Sequence, residues 1–205
     1  MPLTALALNC SLKSSPEESS TELLAGQLLA ELDRRGIPGE QVRLADLAIA
    51  HSVLADADAG DEDQWPSVRE KIHAADVLVL ATPIWNGQPS SIAAKVYERL
   101  NAELSYLDDA GRTPLFGKVV VCVVVGNEDG NYHVAGITHQ VFTDMGATVP
   151  PQPILYWHGP SGGSSDYKDL DEMPDNVSKV LPMLASNAAH LAGLLANNPY
   201  PGVPS

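Results

Sequence analysis

The chain has 205 residues, an apolar content of 44% and a formal net charge of -14, from 12 basic and 26 acidic side chains. That length suffices for one domain with a substantial core. The lysines and arginines form no cluster, which argues against a nucleic-acid partner held through phosphates. No run approaches twenty apolar residues and Met1-Pro2-Leu3-Thr4 lacks a basic leader, so the expectation is a cytoplasmic protein with no membrane span.

Residues 3 to 10, LTALALNC, read as a first strand. The hydroxyl-rich SLKSSPEESST then leads into a helix with Leu23, Leu24, Leu28, Leu29 and Leu32 at helical spacing, ended by Gly36 and Pro38. Ser19, three residues before Glu22, has the form of a capping box. Gln41 to Leu47 is a second strand, His51 to Gln64 an acidic surface connection, and Ser67 to Ala75 a short helix. Val77 to Ala81 is an apolar run without alternation, the pattern of a central parallel strand covered on both faces. It stops at Thr82-Pro83, opens into the loop Ile84-Trp85-Asn86-Gly87, and is followed by a helix from Ser90 with Ile92, Val96, Tyr97 and Leu100 on one face.

Asp108 to Pro114 is a polar turn, and VVVCVVV, within Leu115 to Val125, is a fourth strand. A glycine-bounded loop, Gly126 to Gly130, precedes a helix from Tyr132 to Met145 with Gly146 as its C-cap. Prolines 150, 151 and 153 prevent a regular central ladder, so Ile154 to Trp157 is a short last strand. Gly159 to Asp166, GPSGGSSD, is a candidate lid or subunit contact. Asn176 to Ala196 is a final helix, with Val180, Leu184, Leu191 and Leu195 on its buried face and Pro182 bending or dividing it. Residues 1–196 are expected to form a single domain, followed by a Pro-rich tail over 197–205. Cys10 and Cys122 read as small buried residues, with no disulfide.

Five strands alternating with helices predict an α/β, flavodoxin-like, doubly wound five-stranded parallel sheet of order 2-1-3-4-5, with helices on both faces. In that order the loops after strands one, three and four open on one edge. The first sets Ser11, Lys13, Ser20 and Thr21 among further serines before a helix N-terminus, where free amides and the helix dipole favour an anion. It has neither G-x-G-x-x-G nor G-x-x-x-x-G-K-[ST], so a phosphate monoester fits better than a dinucleotide or a P-loop ligand. The second offers aromatic and apolar surface, and the third a backbone that can approach closely at its glycines. A phosphate joined to a planar heteroaromatic ring would meet all three, and flavin mononucleotide (FMN) is such a ligand. The six histidines show no metal-ligand spacing, so no metal is expected.

The segment ATPIWNGQPSSIAAKVYERL is similar to the T-P-x-y-x-G-x-P-x-x-x-K stretch of the flavodoxin-like NAD(P)H-dependent FMN reductases, a family with quinone-reducing relatives, and VVVGNEDGNYH is similar to the third flavin loop in one branch of it. The likeness covers residues 3–148 well and the C-terminal helix more loosely. It implies that Pro83, Ile84, Trp85, Asn86 and Gly87 line the flavin ring, that Gly126, Asn127, Glu128, Asp129 and Gly130 line its opposite edge, and that Ser11, Lys13, Ser20 and Thr21 hold the phosphate. It further implies hydride transfer from NADPH or NADH to FMN and on to a flavin or quinone acceptor, with no side chain as catalytic acid or base, in a homodimer or homotetramer. One departure is that Cys10 stands where the family has glycine and SSPEES lengthens the first loop, with Glu17 and Glu18 expected to face solvent. The alternative reading is a flavodoxin proper, an electron carrier without its own substrate chemistry.

Overall fold

Strands and helices alternate in the computed structural model, which describes residues 2–55 and 62–202. Residues 56–61 of the acidic connection and 203–205 of the tail lie outside the described residues. Strands β1 (Ala5–Asn9), β2 (Gly39–Arg43), β3 (Val77–Trp85), β5 (Val119–Gly126) and β6 (Ile154–His158) pair in parallel in the order β2-β1-β3-β5-β6. The two-residue β4 (Gln88–Pro89) turns back antiparallel on the end of β3. Counted over the five long strands, this is the flavodoxin-like order 2-1-3-4-5.

Both faces of the sheet are covered, which explains why its central strands are apolar without alternation. Ala5, Ala7, Val77, Val79, Val121 and Val123 pack under α1 (Ser20–Asp33) and α5 (Asp175–Asn197). Leu6, Leu8, Leu78, Leu80 and Val120 point the other way, into a second layer with α2 (Trp65–Ala74), α3 (Ser91–Leu100) and the end of α4 (Asn131–Asp144). Cys10 and Cys122 are free thiols, both buried; burial pushes each well above the ordinary thiol value, Cys122 to about 12.

Three elements differ from the sequence reading. The second strand ends at Arg43, and Leu44–Asp46 forms a single 3-10 turn that buries Leu44. Strand β3 continues through Thr82-Pro83 to Trp85. Its odd residues turn their backbone groups toward β1, since Val77 donates to the Thr4 carbonyl and Ala81 accepts from Cys10. The β1 ladder stops at the Asn9–Ala81 pair, so Pro83 sits where the strand has no neighbour on that side and its missing N–H costs no ladder bond.

The third difference is in α5, which Pro182 does not divide and which buries Val177, Leu181, Leu184, Ala185, Ala188, Ala192 and Leu195, with Val180 and Leu191 at the margin. Its buried stripe includes three alanines, so the large apolar residues alone do not mark the face. The Pro182 carbonyl accepts a hydrogen bond from Arg35 Nη2 at 3.1 Å, just beyond the end of α1.

The end of the sheet that receives the N-termini of the strands is held by polar side chains. Glu103, fully buried, accepts from Arg69 at 2.6 and 3.1 Å and pairs with His73 at 2.9 Å. Lys118 Nζ donates to the carbonyls of His73 and Ala75 at 2.7 Å each. Tyr200 is fixed at the same end: its carbonyl accepts from Arg112, its hydroxyl pairs with Thr148, and its ring meets Phe116 edge-on at 6.1 Å.

Candidate functional site

The opposite end, beyond the carboxyl ends of the strands, collects the loops. Asn9 closes β1 with its amide oxygen accepting the Ser11 N–H at 3.0 Å, and Ser11 Oγ accepts the Lys13 N–H at 3.2 Å. Farther out, Ser15 donates from both N–H and Oγ to the Asp46 carboxylate at 2.7 Å each, anchoring the lengthened part of the loop. Those hydrogen bonds, the side-chain one foremost, hold the Asp46 carboxyl below its usual range. Glu17 and Glu18 are exposed, as expected. Ser19 caps α1 by accepting the Glu22 N–H at 3.3 Å, while the Glu22 carboxylate pairs with Arg43.

The second loop is a tight hairpin. Asn86 (φ 53) and Gly87 (φ 72) are consecutive left-handed residues joining Trp85 to its partner Gln88, the geometry of a type I′ turn. The third loop packs its backbone directly against this hairpin. A Cβ on Gly126 would lie 3.1 Å from Ile84 Cβ, and one on Gly130 (φ 128) would lie 3.0 Å from Gly87 Cα. Between these two contacts the Glu128 carboxylate accepts both loop amides, Asn86 N–H on Oε1 and Gly87 N–H on Oε2, each at 3.0 Å. Buried Ser90 ties the second loop to the first: its Oγ donates to the Cys10 carbonyl at 2.6 Å and accepts the Ala93 N–H at 3.1 Å, capping α3.

A cavity of about 220 Å³ opens between these loops. Ser11, Lys13, Ser20 and Thr21 border it beside the N-terminus of α1, Pro83, Ile84 and Trp85 form one wall, and Gly126, Asn127 and Glu128 another. Asn86, Gly87, Asp129 and Gly130 are not among its lining residues. The amides of Asn86 and Gly87 face Glu128, Gly130 is packed on Gly87, and Asp129 is exposed.

Leu12, Ser19, Val125, Trp157 and Asp166 line the cavity as well. Trp157 lies near the carboxyl end of β6 and Asp166 in the segment that follows it, a position which the same rule of carboxyl-end loops picks out. Trp157 packs on Tyr167 at 5.6 Å, and the Tyr167 hydroxyl donates to Gln27 of α1 at 2.6 Å. Gly159 approaches so closely that a Cβ there would lie 2.5 Å from Asn127 Oδ1. The candidate lid or subunit contact, Gly159 to Asp166, is held at its two ends, by the Gly159 N–H to Gly126 carbonyl bond at 2.9 Å and by Asn127 Nδ2 reaching Asp166 at 3.4 Å, with residues 160–165 exposed between them.

A model of the NADPH-dependent FMN reductase family matches residues 3–160. The chain belongs to that family. This FMN reductase family member is 36% identical over 208 residues to an 8-demethyl-8-aminoriboflavin-5'-phosphate synthase of Streptomyces davaonensis, covering 98% of this chain and 81% of the relative. A crystal structure of RosB with bound 8-demethyl-8-formylriboflavin-5'-phosphate is similar at a TM-score of 0.86 and 35% identity, over 97% of this chain and 82% of that one. A divalent metal cation transporter, MntH, of Mycobacterium bovis is 33% identical over 94% of this chain, which spans only 29% of that protein. Among the described residues no helix is long and apolar enough to cross a membrane, and no group of three or more His, Cys, Asp or Glu side chains is placed to hold a metal.

The cavity's two ends suit the ligand that the family name states. Hydroxyls, one lysine and a helix N-terminus at one end match a phosphate monoester, and indole and aliphatic surface at the other matches a tricyclic ring.

Proposed function

We propose that this chain binds FMN in the cavity and acts as an NAD(P)H-dependent oxidoreductase that passes reducing equivalents to a flavin or quinone. The observation that carries this reading is the coincidence, in one cavity, of phosphate-type donors around Lys13 and Thr21 with flat apolar walls at Trp85 and Trp157. FMN, when bound, would supply the hydride chemistry. The chain's own residues would bind and orient it: Ser11, Lys13, Ser20 and Thr21 at the phosphate, and Pro83, Ile84 and Trp85 against the ring. Trp85 is 54% exposed, which leaves indole surface at the mouth for a second planar molecule, nicotinamide or acceptor, to stack on. Residues 1–196 would serve as a single domain, assembled as a homodimer or homotetramer with the site near a subunit boundary; the mass in solution tests the assembly.

A second reading is favoured by the 36% identity across 98% of the chain to an enzyme whose product is a ring-modified riboflavin phosphate. Here FMN would be the substrate, altered on its benzenoid ring, and the same residues would hold it.

The deciding experiment is the absorbance spectrum of the purified protein with FMN, before and after anaerobic NADPH or NADH, followed by the mass of the extracted flavin. Rapid bleaching with the flavin mass unchanged supports the reductase, and a changed flavin mass supports the second reading. Bound flavin that resists both nucleotides but bleaches with dithionite would return the electron-carrier alternative. Failure to retain any flavin would overturn all three.

A further inference from the structure

NADH and NADPH differ by one phosphate monoester, on the 2′ oxygen of the adenosine ribose, which adds about 1.5 to 2 negative charges near neutral pH. A site that takes NADPH meets that group with a cation, above all arginine, whose fork suits a phosphate. A site that takes NADH needs no such cation, and carboxylates nearby turn the phosphate away.

All 12 lysines and arginines of the chain lie among the described residues, and nine of them form an ion pair with a carboxylate. Every arginine is in that set. Arg43, which closes β2 at the cavity end of the sheet, is held between the Glu22 carboxylate and the Glu17 carbonyl, with 7% of its side chain exposed. Arg34 and Arg35 follow the end of α1, and the 14 residues of that helix put them about 20 Å from the cavity that its N-terminus borders. The other three lysines donate to backbone carbonyls: Lys118 at the far end of the sheet, Lys95 to Ile49 at 2.8 Å, and Lys13 to Glu18 at 3.3 Å.

Of the described residues that line the cavity, Lys13 alone is cationic, and it stands at the end assigned to the flavin phosphate. Glu128 and Asp166 put carboxylates on the same cavity, and Asp129 is exposed beside it. With Lys13 engaged by that phosphate, a second ligand meets negative charge, on a chain whose net charge is -14. Freeing an arginine from its pair returns little, because the released carboxylate repels the phosphate that the arginine would attract. A second copy of the chain at the mouth brings the same cations in the same pairs, so assembly does not change the balance.

We propose that the hydride donor is NADH and that NADPH is rejected by charge, because its 2′-phosphate meets carboxylates and finds every arginine already paired. This rests on the reductase reading given above and departs from the donor in the family's name. The step is the same for either donor: a hydride leaves the nicotinamide, which is oxidised, and with one proton from water reduces FMN to its dihydro form.

The test is the anaerobic bleaching of the FMN-loaded protein in a stopped-flow instrument, with NADH and with NADPH, at about 20 mM and about 500 mM salt. At low salt the second-order rate constant with NADH is expected to exceed that with NADPH at least about tenfold. At high salt the Debye length falls to about 4 Å, and the ratio should shrink at least about threefold, through a faster reaction with NADPH. Taking the ratio of two donors on one protein cancels any effect of salt on flavin retention. A smaller preference at low salt, or one for NADPH, would overturn the proposal, since the 2′-phosphate would then have a cationic partner. A preference for NADH that does not narrow with salt would overturn it too, because the phosphate would be rejected by shape and not by charge. If neither nucleotide bleaches a flavin that dithionite reduces, the reductase reading fails and the inference with it; if NADPH bleaches it as fast as NADH, only the inference fails.

Discussion

Replacing Ser90 by alanine removes two things at once. The Oγ caps α3 through the Ala93 N–H, and loss of such a cap costs about 1 kcal/mol. The same Oγ is the donor to the Cys10 carbonyl, on a residue with no exposed surface, and stranding a buried acceptor costs about 1–3 kcal/mol. The Ser90 N–H to Thr82 Oγ1 bond at 3.0 Å is a backbone donation and survives the change. The expected loss is therefore about 2–4 kcal/mol, a fall in Tm of roughly 5–15 °C for a chain of this size. Urea unfolding of the flavin-free protein measures the free energy directly, and FMN titration of the folded variant should show weaker binding, since Cys10 begins the loop that carries Ser11 and Lys13. A loss below about 0.5 kcal/mol would refute the reasoning, because it would mean that the Cys10 carbonyl finds another donor and that α3 starts as well without its cap.

Lys13→Ala should weaken FMN about five- to tenfold while leaving riboflavin, which lacks the phosphate, within twofold, as read by flavin fluorescence titration. Gly130→Ala forces a φ of 128 on a residue whose Cβ would meet the Gly87 backbone at 3.0 Å, so it should cost about 1–3 kcal/mol in denaturant unfolding. At Glu103, burial raises the carboxyl pKa, but the hydrogen bonds and charges of His73 and Arg69 outweigh it and the net shift is downward. Its stabilising contribution is therefore present above the unfolded value of about 4.3 and lost as the pH falls through the lower folded value. The urea midpoint of wild type should drop more steeply below about pH 4 than that of Glu103→Gln; equal slopes would remove Glu103 from the acid sensitivity.

Strand order and the three loop positions are legible in the sequence because they follow from apolar runs and their spacing, which burial on both faces imposes. The hairpin after β3 is legible in Asn86-Gly87, the pair that a type I′ turn demands, although Thr82-Pro83 reads as the end of the strand. Only the register, with β1 stopping at Asn9, shows why proline is tolerated there. Glu128 borders the cavity, but its bonds to the Asn86 and Gly87 amides are not legible in the sequence, since a side chain reaching back across two loops leaves no mark in spacing. Trp157 and Asp166 follow the prolines that made the last strand look irregular, so their convergence with Lys13 depended on knowing that β6 pairs with β5. The hydrogen bonds of Asn9 and Ser90 are invisible for the same reason: each is a short polar side chain whose partner is fixed by the packing of neighbouring loops.

The pinning of Tyr200 has a practical consequence. Its partners Arg112, Thr148 and Phe116 sit at the end of the sheet away from the cavity. Coupling the protein to an electrode or a resin through a residue beside Tyr200 would leave the cavity mouth turned outward, with Trp85 toward the bulk solution. Immobilised in that orientation, the molecule would keep diffusional access for large planar acceptors, whereas attachment at the Asn86–Gly87 turn would bury the mouth against the support.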